Sequence, residues 1–455
     1  MKIQETKLSG DGLIELFYQF FQTVVDHRGP NTTIRLENAL QSGFALFALK
    51  FPSLLKFEEE RKERGMSNLT NIFLVDQVPS DTQMREIIDG VSPKEIRKLF
   101  KKIFKKIQKA KKLEAFEFMR LKNAPHYLLP VDGTGYFSSH TVSCPSCQVK
   151  SHKNGDVTYY HQMLGAAIVH PSMKTVIPMA PEPILKQDGA KKNDCEYNAF
   201  KRLAEQFRND HPKLNVIIAG DALYAKGALI KILNQYSMSY ILNVKPKGNE
   251  KLFDFIQGSD HRGHVLYHEK QESIGDKIKK TVTHKFRYKN GVPIDNNSSL
   301  ELQVNFLEYW EITEWTSSKG KHSREEKHFS WVTDIYLNKN TIWKIMKGGR
   351  ARWTIENEVF NTLKNQGYHF EHNFGHGEKN LSTNFAMLMM LAFYMDQVQE
   401  MACKSFQKIL KLLRKCRVWE RIKTFYQLVK VDNWTSLLEL LINSYGKLID
   451  LENTS

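Results

Sequence analysis

The sequence predicts a mixed α/β fold with a helical amino-terminal region, a strand-rich insertion and a helical close. Three observations carry this. From about residue 124 to 245, apolar runs of strand length alternate with amphipathic helical patterns. Residues 246–330 instead hold longer alternating runs joined by polar, glycine-containing turns, the pattern of antiparallel strands. On both flanks, apolar residues recur at helical spacing.

The first 120 residues read as helices, among them "DGLIELFYQFFQTVV" and "IRLENALQSGFALFALKF". In "SPKEIRKLFKKIFKKIQKAKKLEAF", Ser92 and Glu95 have capping-box spacing and Pro93 takes the first helical position. Ile96, Leu99, Phe100, Ile103, Phe104 and Ile107 line one face, and Lys98, Lys101, Lys102, Lys105, Lys106 and Lys109 crowd the others. Those lysines fit either a solvated face or one that contacts phosphates.

Next come strands in "HYLLPV", "TYYHQMLGAAIVHP" and "TVIPMAPEPI", then a helix over "NDCEYNAFKRLAEQFRND" with Asn193 or Asp194 near its cap. "LNVIIAGD" is a short buried strand, "ALYAKGALIKILNQ" a helix and "SYILNVKP" another strand. Helix returns in "NTIWKIMKGGRARWTIENEVFNTLKNQG". "FAMLMMLAFYM" at 385–395 is too short to span a bilayer and reads as a core helix, followed by a basic helix near 403–424. The boundaries this gives are 1–120, 121–245, 246–340, 341–400 and 401–455.

A chain of 455 residues exceeds one ordinary core, and 41% hydrophobic with 25% charged residues excludes wholesale disorder. The net charge of +16 favours a polyanionic partner, nucleic acid above all. Five cysteines without regular spacing describe no disulfide framework, and the first residues lack the apolar core of a signal peptide. The expectation is a protein of a reducing intracellular compartment with no membrane partner.

Chemistry enters at "HYLLPVDGTGYFSS". An apolar run ends on Asp132 and breaks into Gly-Thr-Gly, which fits a simple turn or a strand tip presenting a carboxylate. "NVIIAGDALYAKGALIK" repeats the arrangement with Asp221, and ligands in open α/β sheets bind beyond the carboxyl ends of strands. Glu356 lies one helical turn before Phe360, in a helix whose Ile355, Val359, Phe360 and Leu363 face the core. Three hard oxygen ligands from separate elements suit Mg²⁺. Two such ions about 4 Å apart would clamp the attacking and leaving oxygens of a phosphoryl transfer.

"VDGTGYFSS", "IIAGDALY" and "RARWTIENEVFNTLKNQG", in that order, resemble the three acid-bearing motifs of DDE transposases. The similarity is to bacterial insertion-sequence enzymes with a Tyr-Arg-Glu-Lys signature. It spans about 124–400 and is strongest in the Arg-Trp-x-Ile-Glu segment; the amino-terminal region is only loosely similar. The resemblance implies a ribonuclease-H-like core with a β-rich insertion between the second Asp and the Glu. It implies two Mg²⁺ or Mn²⁺ ions on Asp132, Asp221 and Glu356, Arg352 on DNA phosphate, and Lys364 as the signature lysine. Its partners would be double-stranded DNA, as terminal inverted repeats and target, and a second copy on that DNA. The setting would be the nucleoid-bearing cytoplasm of a prokaryote, with no small-molecule cofactor. Two positions depart from the signature: Gly349 stands where the tyrosine would be, and Lys364 lies one residue too far from Glu356.

Further signals stand apart from that core. Cys144 and Cys147 at C-x-x-C spacing, flanked by His140 and His152, offer four ligands for a small structural zinc site, the less favoured reading beside a free buried pair. "YHFEHNFGHG" places His369, His372 and His376 after the Glu356 helix, more simply as packing or a DNA-holding loop than as a metal site. Trp310, Trp315 and Trp331 could include a ring that stacks an extruded base, although most tryptophans are simply buried. Two other functions compete with transposition. A catalytically silent DNA-binding regulator would be expected to lack an acid, and none is missing. A sugar-kinase-like phosphotransferase would share "DGTG" but needs a second glycine-rich phosphate loop, and the sequence has none.

Overall fold

The helical faces foreseen at the amino terminus are the ones that become buried. A computed structural model describes residues 7–185, 195–275, 279–294, 302–317 and 321–445. Among the described residues, helices come first: α1 (Gly10–Phe21), α2 (Leu36–Ala48), α3 (Leu54–Arg64), α4 (Ser67–Phe73), α5 (Asp81–Asp89) and α6 (Pro93–Lys109). All six apolar residues anticipated on α6 are buried, while Lys102 and Lys105 are exposed. The capping box expected at Ser92 does not form: its side chain caps nothing, and Glu95 pairs with Lys98 at 2.7 Å, one turn along. A complete box stands instead at Ser80 and Gln83, opening α5.

The sheet follows. Its early strands are β1 (Glu117–Leu121), β2 (Ala124–Ser139), β3 (Gln148–Ser151), β4 (Val157–Ile168), β5 (Ile177–Pro178) and β6 (Glu182–Ile184). "TVIPMAPEPI" yields only the two short strands β5 and β6, because its prolines cannot donate to a ladder. Helix α7 (Glu196–Asp210), β7 (Val216–Gly220), α8 (Gly227–Gln235), β8 (Ser239–Asn243) and α9 (Glu250–His261) come next. The cap candidates Asn193 and Asp194 lie outside the described residues. Four long strands then run antiparallel: β9 (Leu266–Ile274), β10 (Lys280–Pro293), β11 (Gln303–Thr316) and β12 (His322–Thr333).

The strand order is β3-β4-β2-β7-β8-β12-β11-β10-β9. Among the described strands only β2, β7 and β8 pair in parallel, and the five residues of β7 are all buried, as an apolar central strand requires. β12 pairs with β8 through Trp331, Val332 and Thr333, so the strands between Asp221 and Glu356 prolong the central sheet.

Helix α10 (Thr341–Arg350), a π-helical turn (Ile355–Phe360) and α11 (Asn361–Asn365) bring the chain back to the sheet. Then come α12 (Leu381–Ala402), α13 (Lys404–Leu412), α14 (Lys415–Leu428) and α15 (Trp434–Ser444). The apolar run read as a core helix is α12, buried from Leu381 to Gln399 and packed on α1, α2, α5 and α6. Among the described residues no helix is long and apolar enough to cross a membrane. Asp89 of α5 accepts the backbone N–H groups of Glu378, Lys379, Asn380 and Leu381, satisfying donors that the start of α12 leaves open.

Candidate active site

Asp132 does not end its strand. β2 runs straight through Asp-Gly-Thr-Gly to Ser139, with Asp132 opposite Gly165 and Gly135 opposite Gln162 of β4. The expected turn is absent because β4 supplies a partner along this whole length. What ends near Asp132 is the other pairing: the parallel ladder with β7 stops at Pro130 and Ala219. Carrying that register two residues on puts Asp221, just past β7, level with Asp132 and on the same face of the sheet. Asp221 is fixed there by accepting the Leu223 N–H at 2.8 Å.

Gly133 after Asp132 and Gly165 opposite it have a packing reason. A Cβ on Gly133 would lie 2.3 Å from Oε1 of Glu196, and one on Gly165 would lie 2.8 Å from the Phe360 ring. Glu196 opens α7 and receives the Gln162 amide at 3.2 Å. This fourth acid escaped the sequence reading because it looks like an ordinary first-turn glutamate; the small residue at 133 was its only trace. Burial, then the Asp221 charge, raises its carboxyl above the usual range. Replacing Gly133 with Ala displaces the mobile end of Glu196 more than it disturbs the fold. The expected result is cleavage lowered roughly 10- to 100-fold with a stability change below about 1 kcal/mol, read from kinetics beside thermal melts.

Glu356 sits on the π-helical turn, whose Ile355, Val359 and Phe360 are buried. Such turns widen a helix locally and re-aim its side chains. Arg352, buried one turn earlier, joins two of the acids: its Nη1 lies 3.1 Å from Asp132 Oδ2 and 3.2 Å from Glu356 Oε1. Its Nε is buried without a partner. Burial pushes the Asp132 carboxyl up to about 7, the hydrogen bond shared with Glu356 adds to this, and Arg352 opposes it. A half-buried carboxylate pair leaning on one guanidinium still carries excess negative charge, which suits a divalent cation.

The other anticipated residues fall in different places. Lys364 is paired with Glu371 at 2.8 Å at the edge of a groove of about 550 Å³ that also holds Gly135, Lys150 and Gln162. Gly349, at the tyrosine position, faces the Trp331 indole so closely that a Cβ would meet Nε1 at 2.3 Å. A ring could not stand there without expelling Trp331. That tryptophan is fully buried, which removes it as a base-stacking candidate; Trp310 lies flat on His328 at 4.9 Å and Trp315 lies under Lys280. A cleft of about 710 Å³ beside α10 is lined by Trp343 and Trp353 together with Lys270, Lys347 and Arg350. On α6, Lys101 pairs with Asp210 at 3.2 Å, Lys102 lies over the Phe20 ring and Lys106 is half-buried.

His140 and His152 do not join the cysteine pair. His140 Nδ1 contacts the Val157 carbonyl at 3.1 Å, and His152 Nε2 lies 2.7 Å from the Thr158 hydroxyl. The histidines at the cysteines are His161 of β4 and His376 of the segment before α12.

Residues 129–394, more than half of the chain, match the family described as the transposase DDE domain. The match runs from the strand bearing Asp132 to the core helix α12 and takes in all three acids. No curated protein matches the chain. With this span matched over the sheet and the helix that carry the acids, the chain belongs to the transposase DDE domain family.

Proposed function

We propose that the chain is a working DNA transposase of the bacterial insertion-sequence group with the Tyr-Arg-Glu-Lys signature, built on a ribonuclease-H-like core. Asp132, Asp221 and Glu356 are its metal ligands, for two Mg²⁺ or Mn²⁺ ions. The observation that carries this is the placement of Arg352 Nη1 on both Asp132 and Glu356: a cation already bridges two acids from distant parts of the chain. Bound between the carboxylates, the ions would activate water or a 3′-hydroxyl and neutralise the leaving oxygen.

The protein's own groups do the rest. With ions held at the site, the Asp132 and Glu356 carboxylates would turn from Arg352 toward them. Arg352 then has Nη1 free, beside an Nε that has no partner, and can take a DNA phosphate by its guanidinium fork. In the cleft, where Arg350 is paired with Glu311 and Glu272 also lines the wall, Lys270 and Lys347 offer charge for backbone phosphates and Trp343 and Trp353 rings for an unstacked base. Lys102 and Lys105 of α6, with Lys101 and Lys106 at its flanks, extend the basic surface for inverted-repeat DNA. Joining two ends to one target calls for a homodimer on DNA, in the cytoplasm of a prokaryote.

The test is cleavage of labelled DNA carrying the sequences that flank the gene, in Mg²⁺, Mn²⁺ or EDTA. Metal-dependent nicks at a repeat boundary, lost in Glu356→Ala, are expected. Salt-sensitive binding with no cleavage in any metal would replace this reading with that of a silent DNA-binding regulator.

A further inference from the structure

We propose that Cys144, Cys147, His161 and His376 form a tetrahedral zinc site that fastens the segment after the Glu356 helix to the strands bearing the acids. The site is structural and independent of the proposed transposition chemistry.

The four ligand atoms lie within 4.8 Å of one another, and three of the residues are buried. Cys144 Sγ is 3.4 Å from Cys147 Sγ and 3.3 Å from His161 Nε2. Cys147 Sγ is 3.4 Å from His161 Nε2 and 2.9 Å from His376 Nδ1. Zinc with two thiolates and two imidazoles has ligand–ligand edges of about 3.3–3.8 Å, from bonds of about 2.3 Å to sulfur and 2.0 Å to nitrogen. Three of these four edges, at 3.3–3.4 Å, lie at the short end of that range and the Cys147–His376 edge, at 2.9 Å, is shorter still; two soft sulfurs with two imidazoles select zinc over Mg²⁺ or Ca²⁺.

The backbone is arranged for such a centre. Cys144 and Cys147 close a turn through the Cys147 N–H to the Cys144 carbonyl at 3.0 Å, and the Cys144 N–H donates to Cys147 Sγ at 3.3 Å. A backbone donor to a ligating sulfur is the outer support that thiolate sites use. Both histidines turn one nitrogen to the sulfurs, while the opposite nitrogens, His161 Nδ1 and His376 Nε2, are buried without a partner. The inward nitrogens, His161 Nε2 and His376 Nδ1, are the ones that meet the sulfurs, so all four ligand atoms converge on one point. His376 reaches inward from between Gly375 and Gly377, both at positive φ.

The consequence is mechanical. His161 pairs directly with Tyr136 on β2, in the same unbroken run of the ladder as the Asp132–Gly165 pair. His376 belongs to the stretch that links α11 to α12, so the ion would lock β2, β4 and the far side of the Glu356 helix into one unit.

Zinc measured by mass spectrometry on the full chain, purified without chelators, is expected at about one per chain. It should be unchanged in His152→Ala and lost in Cys147→Ser and His376→Asn. Because those variants could unfold, the wild type is also stripped and reloaded with Co²⁺, which should give thiolate-to-cobalt charge transfer and tetrahedral d–d bands. A melting temperature lowered by stripping and restored by Zn²⁺ completes the expected set. Zinc absent from the wild type, zinc retained in Cys147→Ser, or a Cys144–Cys147 disulfide in the freshly purified protein would each overturn the assignment. None of these readouts depends on DNA cleavage.

Discussion

Asp132→Asn should abolish metal-dependent cleavage, by 10³-fold or more, and at pH 8 should raise the melting temperature of the metal-free protein. The two effects share one cause. In the folded chain burial and Glu356 lift the Asp132 carboxyl to about 7, against an ordinary value of 3.8. Between those values the folded state holds a proton that the unfolded state has released, so stability falls as pH rises through this window. Below about pH 4 both states are protonated and there is no penalty; above about pH 7 it is complete. Asparagine keeps the shape and cannot ionise. The variant should gain about 1–3 kcal/mol over the wild type at pH 8, roughly a third of that at pH 5 and little below about pH 4. Mg²⁺ should reverse the order, since it binds the ionised carboxylate and stabilises only the wild type. Melting curves across pH in EDTA and in Mg²⁺ decide the matter; a gap that does not vary with pH would refute the account.

Legibility in the sequence tracks how local each feature is. Apolar spacing along α6 and the unbroken run of α12 are set by side chains within a few turns, and both were read directly. The end of β2 was misread because continuation past Asp132 depends on β4, about thirty residues away, supplying the ladder. The same distance hid Glu196, whose presence beside Asp132 follows from chain crossing and not from any local pattern. The cysteines drew attention to their near neighbours His140 and His152. Strand pairing instead brought His161 to the cysteines, and a loop more than two hundred residues later brought His376. Gly349 shows the converse: its small size, unexplained by its neighbours in sequence, answers to the Trp331 ring arriving from β12.

Lys50→Met should be the most damaging single change outside the acids. Lys50 is fully buried and its ammonium lies 2.7 Å from Asp396 of α12, between the rings of Tyr368 at 3.9 Å and Trp419 at 4.2 Å. The Tyr368 hydroxyl donates to the same carboxylate. Burial lowers the Lys50 pKa and raises that of Asp396, so each ion is tolerated only through the other. Removing the lysine strands a carboxylate in the core, at a cost of about 3–5 kcal/mol. Lys50 adopts positive φ, but methionine inherits the same backbone, so the loss reports the charge pair and not strain. The double change Lys50→Met with Asp396→Leu should recover most of that stability, since an apolar pair replaces two buried ions. Denaturant titration of the three variants measures the coupling, and a double variant no better than Lys50→Met alone would sink the argument. The pair also bears on the site: Tyr368 follows α11, so the contact joins α2, α12 and the carboxyl end of the Glu356 helix. Lys50→Met should therefore lower cleavage at temperatures where the chain is still folded, through the placement of Glu356, and the double variant should restore it.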